Sequence, residues 1–242
     1  MRRLTRQTTV EAVLRKVLFL GLLFAATMPL AAIAQQVVGL TESGQPQEIV
    51  LTGQAARVPG FRNAMWGMSP DQVRTALATD FNGAQASALV IDPATGNQVM
   101  VAPMTSLAPG PGPAAIAYIF GAKSGRLVHV NLDWTVQDPE AADRAAILDA
   151  GSKVVAGFVG SQWKLGSVMR GVVVRSDLIV LFAGADDDGG GVDVRVGGVP
   201  YALRTDAAVQ SIAPSTGPAT LHVGFSAPSA AAETGTIMPG AF

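Results

Sequence analysis

Cysteine is absent from all 242 residues. That excludes a disulfide framework, a thiolate metal site and a lipid-modified cysteine, so the fold must rest on its core. Histidine is almost absent as well, with only His129 and His222. No G-x-S-x-G elbow nominates a nucleophilic serine. "GAKSGR", Gly121 to Arg126, lacks the order and the following helix of a phosphate cradle and reads as a hairpin turn with basic decoration. "DDDGGG", Asp186 to Gly191, is the one dense carboxylate run. Gly190 stands where a calcium loop needs its fifth-position ligand, so the run reads as a turn rather than a cation site. No catalytic residue, metal or cofactor is expected.

The first 34 residues carry the three parts of an export signal. Arg2, Arg3, Arg6, Arg15 and Lys16 precede an apolar run from Val17 to Leu30, and Ala32-Ile33-Ala34 precedes Gln35. Cleavage is expected after Ala34, which predicts a periplasmic or secreted protein with no stable membrane span once the signal is removed. The signal holds five of the 17 basic residues and one of the 18 acidic ones, leaving 12 against 17. A mature chain of that balance does not suit nucleic-acid binding, which depends on clustered Lys and Arg.

Composition divides the remainder. Residues 35–58 are mixed and punctuated by Gly39, Gly44, Pro46 and Gly53; residues 205–242 turn to Ala, Ser, Thr, Pro and Gly. Such a tail buries little apolar surface against its ordering entropy and is expected to be loose. One domain, residues 59–204, is left.

Within it, "FRNAMWGMSPDQVRTALATDF" opens a helix: Ser69 as N-cap, Pro70 at the first helical position and Gln72 closing a capping box. Met68 and Val73 occupy the positions of a hydrophobic staple, and Val73, Leu77 and Phe81 form an apolar stripe. A second helix is expected to open at Asp138-Pro139-Glu140, to run through Ile147, Val154, Val155 and Phe158, and to end at Gly160. Strands are expected at Ser87 to Ile91, Gln98 to Ala102, Ala114 to Phe120, Leu127 to Trp134, Gly171 to Arg175, Leu178 to Ala183 and Val192 to Val196. Val128, Val130, Leu132 and Trp134 alternate with His129, Asn131 and Asp133, the pattern of a strand with one core face and one polar face. The expected fold is therefore α+β: two layers, antiparallel sheet and two main helices, with an element order that suggests two helix-then-strands halves.

"GFRNAMWGMSPDQVRTAL", "AAIAYIFGAKSGRLVHVNLDW" and "LIVLFAGADDDGGGVDVRVGG" resemble the landmarks of a family of secreted bacterial proteins of unknown function, over about Gly60 to Gly198. "WGMSPDQV" is more distantly similar to the helix-opening motif of the BamE (SmpA/OmlA) envelope module, which would imply protein contacts. That module is usually a lipoprotein, and this chain has no cysteine to lipidate.

These readings favour a non-catalytic envelope protein that binds another protein or a cell-surface polymer through its sheet face, with His129, Asp133 and Arg195 among the candidate contact residues, or through its tail. The alternative is a small-ligand cleft near Arg62, Trp66 and Tyr118; an enzyme of unknown class is the third reading. His129 and Asp133 share a strand face, but four residues at about 3.4 Å each hold their Cα atoms roughly 14 Å apart. No direct His–carboxylate pair is expected from that spacing.

Overall fold

The computed structural model describes residues 53–175, 177–205, 208–212 and 217–233. The expected export signal, the segment up to residue 52 and the chain beyond residue 233 lie outside the described residues. The architecture is α+β: a large antiparallel sheet with the two main helices on one face.

Ser69 accepts a hydrogen bond from the Gln72 N–H while the Gln72 side chain accepts one from the Ser69 N–H, and helix α1 (Pro70–Asp80) follows with Pro70 at its start. Val73 and Leu77 are fully buried. Ahead of α1, strands β1 (Gly60–Phe61) and β2 (Ala64–Met65) form a small hairpin. A meander follows: β3 (Val90–Ile91), β4 (Gln98–Met104), β5 (Ala114–Phe120) and β6 (Leu127–Val136). The strand expected over Ser87 to Ile91 is thus only two residues long.

Helix α2 (Ala141–Ala156) starts three residues later than Asp138. Its N-cap is Glu140, whose N–H donates to the Asp143 carboxylate at 2.9 Å. It ends at Gly157 rather than Gly160. Its inward face carries Ile147, Ala150 and Gly151, all buried. A Cβ on Gly151 would stand 2.8 Å from Leu181 Cδ1 and 3.0 Å from Val196 Cγ1, so a glycine is what lets the helix lie this close to the sheet. A second meander follows: β7 (Met169–Arg175), β8 (Leu178–Ala185) and β9 (Gly191–Gly197), and then a separate hairpin of β10 (Tyr201–Thr205) and β11 (Ala208–Ile212).

Of the tail expected to be loose over 205–242, residues 219–233 are instead part of the fold, and residues 234–242 lie outside the described residues. Strand β12 (Ala219–Ser226) lies in the middle of the sheet, whose order is β3-β4-β5-β6-β12-β9-β8-β7. It pairs antiparallel with β6 on one side and β9 on the other, along nearly its whole length. The two meanders are joined by it into one sheet. Composition misleads here because sheet position is decided by alternation: Leu221 and Val223 are buried, and Phe225 between them and the chain end packs on the same core. Arg144 of α2 anchors the entry to β12, donating to the carbonyl oxygens of Gly198 and Gly217. A final turn of helix, α3 (Ala230–Glu233), closes on the β5–β6 turn, where Lys123 donates to the Ala232 carbonyl and the Ser124 N–H to the Glu233 carboxylate. The domain therefore extends to Glu233.

The core lies between the sheet and the helices. Tyr118, Phe120, Val130, Leu132 and Trp134 meet Val73 and Leu77 of α1 and Ile147 of α2, together with Val194, Val196 and Leu221. Trp134 also donates its indole N–H to the Leu107 carbonyl at 2.9 Å, which holds the β4–β5 loop against the same face. Phe61, Phe158 and Phe225 fill the space between the two halves, with Phe61 and Phe225 ring centroids 5.4 Å apart. Among the described residues no helix is long and apolar enough to cross a membrane.

Candidate functional site

The sheet's other face holds the strongest concentration of polar side chains. Because successive strand residues point to opposite faces, burying Val130, Leu132 and Trp134 turns His129, Asn131 and Asp133 of β6 outward together. On β9 the same alternation turns Asp193 and Arg195 outward, and on β12 it turns out His222. The registers then align them: His222 stands opposite Asp133 on one side and Arg195 on the other, and Gly224 stands opposite Asn131 and Asp193.

His222 Nδ1 lies 2.7 Å from Asp133 Oδ1, and its Nε2 lies 3.9 Å from Asp193 Oδ2. Asp193 in turn meets Arg195 Nε at 2.7 Å. All four side chains keep between 16% and 27% of their surface open to solvent, so the cluster is neither core nor freely solvated. Gly224 makes the arrangement possible, because a Cβ there would lie 2.6 Å from Asp193 Oδ1 and 3.1 Å from His222 Nε2.

Electrostatics divides the two histidines. Burial pushes His222 down, but the Asp133 carboxylate, the hydrogen bond to it and Asp193 behind outweigh burial and the opposing charge of Arg195, holding the imidazole above its ordinary value. For His129 burial prevails, and the imidazole is held below that value despite Asp193 and a hydrogen bond to the Phe225 backbone. One histidine favours its cation and the other its neutral form.

Chemically, the cluster is a charge-balanced network. A histidine acting as general base needs one nitrogen directed at the group it deprotonates. Here one nitrogen of His222 is held by Asp133 and the other faces Asp193. The spacing argument concerned His129 and Asp133 alone; the partner Asp133 finds is His222, which β12 brings in from 89 positions away.

Arg62, Trp66 and Tyr118 do not form the cleft expected of them. Arg62 is exposed in the two-residue turn between β1 and β2, at φ 53°, and its guanidinium covers the Phe81 ring 4.5 Å from the centroid. Trp66 donates its indole N–H to the Val58 carbonyl and packs on Val128, Ala227 and Ala230. Tyr118 is fully buried on the core side of β5; burial first, then the Asp80 carboxylate, raise its phenol above the usual range, against the pull of Arg62. Tyr118 and Arg62 are thus near enough to interact, but Tyr118 presents no surface to a ligand. A shallow groove beside α1 is lined by Asn63, Met68, Gln72, Thr75, Ala76 and Thr79, and the three expected residues are not among them.

The acidic run has a local structural role. Asp186 is buried, and its carboxylate accepts from the Val58 N–H at 2.8 Å and from the Gly190 N–H at 2.7 Å, closing the β8–β9 turn and clamping the strand-like entry to the domain. Asp188 pairs with Arg57 on the surface at 3.6 Å. Among the described residues no group of three or more His, Cys, Asp or Glu is placed to hold a metal ion.

Comparison with protein-family models, with curated proteins and with solved structures found no match to this chain. Any functional reading therefore rests on the residues and their geometry.

His222 and Asp193 were not singled out by sequence reasoning. The signal for His222 was present in "ATLHVGFS", where Leu221, Val223 and Phe225 alternate with Thr220, His222 and Gly224. Asp193 was visible as a polar residue between Val192 and Val194, but its neighbours on β12 were not.

Proposed function

We propose that the protein is exported to the cell envelope and acts there as a non-catalytic binding module, engaging another protein or a surface polymer through the open face of its sheet. The observation that carries this reading is the polar strip of His129, Asn131, Asp133, His222, Asp193 and Arg195, set across three adjacent strands on the face opposite α1 and α2. Beside the strip, Val101, Ala115 and Ala117 are already buried, so half-buried Val99 is what that cluster leaves open. Fixed polar groups of this kind supply register and partner selectivity to an interface. The export signal expected over the first 34 residues supports a module outside the cytoplasm, and the resemblance of the helix-opening segment to envelope modules used for protein contacts points the same way.

The test is affinity purification of the tagged protein from the envelope fraction, compared with an Asn131→Arg variant. Asn131 lies at the centre of the strip, opposite Gly224 on β12 and Ala117 on β5. A long cation there should expel a partner while leaving the melting temperature close to wild type. Co-purification unchanged in a folded Asn131→Arg protein would count against this face.

A further inference from the structure

Strand β7 ends the sheet: its one strand neighbour among the described residues is β8, with Met169 opposite Ala183, Arg170 opposite Phe182, Val172 opposite Val180 and Val173 opposite Ile179. The row of backbone N–H and C=O groups along its other side is a template for a further strand. Natural edges of this kind are blunted by charge, proline, shortness or cover. β7 is seven residues long and has no proline, though a bulge between Val173 and Arg175 and Gly171 at φ 62° make it irregular.

The edge is also apolar out of proportion to the rest of the surface. Among the described residues, five of the nine exposed large hydrophobic side chains lie between Leu165 and Val174: Leu165, Val168, Met169, Val172 and Val174. Leu165 is almost wholly exposed, at 97%. Scattered exposed apolar residues are ordinary, but a set gathered on and just before an edge strand marks a contact surface.

Charge selects the occupant. From Lys164 to Arg175 the chain carries three basic residues and no acidic one, although its formal net charge is −1. Arg170 is steadied over the Phe182 ring at 5.8 Å, and Arg175 lies 3.3 Å from the exposed Asp177. A second copy of the same edge would bring like charges together, whereas an acidic segment would be drawn in.

We propose that β7 is a docking edge for an extended segment of another protein that alternates acidic and β-branched apolar residues, and that adds to the sheet as a ninth strand. Backbone pairing along Met169–Arg175 supplies the attachment. Val172 and Val174 receive the apolar side chains, and Arg170 and Arg175 flank that pair and attract the carboxylates. This surface is separate from the polar strip and does not depend on it.

The experiment uses the mature full chain and a fluorescein-labelled peptide of sequence Asp-Val-Glu-Val-Asp-Val-Glu, read by fluorescence anisotropy, with the Lys-for-acid peptide as its counterpart. Wild type should bind the acidic peptide saturably and the basic one not at all, and added salt should weaken binding. Arg170→Glu/Arg175→Glu should lower affinity for the acidic peptide by about tenfold or more and gain affinity for the basic one. If the double variant melts below wild type, Arg175→Glu alone serves, because Arg175 is exposed. Four outcomes would overturn the proposal: no saturable binding up to on the order of 1 mM peptide; equal binding of both peptides; a dimer in ultracentrifugation that Arg175→Glu dissolves, which would make a second copy the occupant; or peptide binding only after residues 35–52 are deleted, which would make the chain's own segment the occupant.

Discussion

Asp133 and His222 stand 89 positions apart in the chain yet directly opposite one another on β6 and β12, with Asp133 Oδ1 2.7 Å from His222 Nδ1. Their pairing couples the polar strip to the strand that joins the two halves of the sheet, so protonation of His222 is linked to folding.

The sign of that linkage follows from the direction of the shift. His222 is held above its ordinary value of 6.5, so its contribution to stability is fully present below that value and is lost as pH rises through the higher folded value. Asp133→Asn should therefore lower the melting temperature more at about pH 5 than at about pH 9. His129, held low by burial, works in the opposite sense: the fold favours its neutral form, and that advantage is lost as pH falls below 6.5 through the lowered folded value. His129→Gln should make the protein less sensitive to acid. Thermal melts across the pH range check both, and an equal loss for Asp133→Asn at both ends would refute the linkage.

Gly224 is the spacer of that cluster. In Gly224→Ala the new methyl would meet the Asp193 carboxylate, which then has to leave Arg195 or His222. The expected cost is about 1 to 3 kcal/mol of stability by denaturant unfolding. A variant as stable as wild type would show that Asp193 has room to move.

The helix cap offers a smaller, local test. Ser69→Ala removes the oxygen that receives the Gln72 N–H at 3.4 Å, a long bond, so the loss should fall at the lower end of the usual range for caps, about 0.5 to 1 kcal/mol. The measurement is the denaturant midpoint at constant slope.

Ending the chain at Thr205 removes β12 and leaves β6 and β9 without their shared neighbour. That protein should show no cooperative unfolding transition and should be recovered mainly as aggregate. A sharp, reversible melt from the truncated chain would contradict the central placement of β12.

Export has its own measurement. N-terminal sequencing of protein recovered from the periplasm should begin at Gln35, and a chain still starting at Met1 in the membrane pellet would be the contrary result.

What the sequence disclosed was whatever is encoded locally. Ser69, Pro70 and Gln72 announce a helix start because the capping bonds span three residues, and β5 could be placed from Ala114 to Phe120 because its apolar run is bounded by turn residues. The start of α2 was less clear because Asp138-Pro139 offers a plausible cap, whereas the bond that forms is from the Glu140 N–H to Asp143. β12 was hidden by composition: its Ala, Thr, Gly and Ser residues are those of a linker, and its alternation becomes meaningful only between β6 and β9. The site suffered most, since Asp133, His222 and Asp193 come from three strands whose adjacency is a property of the sheet order and not of any one segment.

The place of β12 also bears on the order of events as the chain is made. Each meander can begin to form from neighbouring segments, but the contacts that unite them span nearly ninety positions, and such non-local pairings are slow to close. During synthesis β6 and β9 emerge before the strand that belongs between them, and each keeps an open edge until it arrives. A chain in that condition is still threadable. Under the proposed export, a late-arriving central strand acts as a built-in delay: the finished sheet cannot assemble while its joining strand has yet to appear.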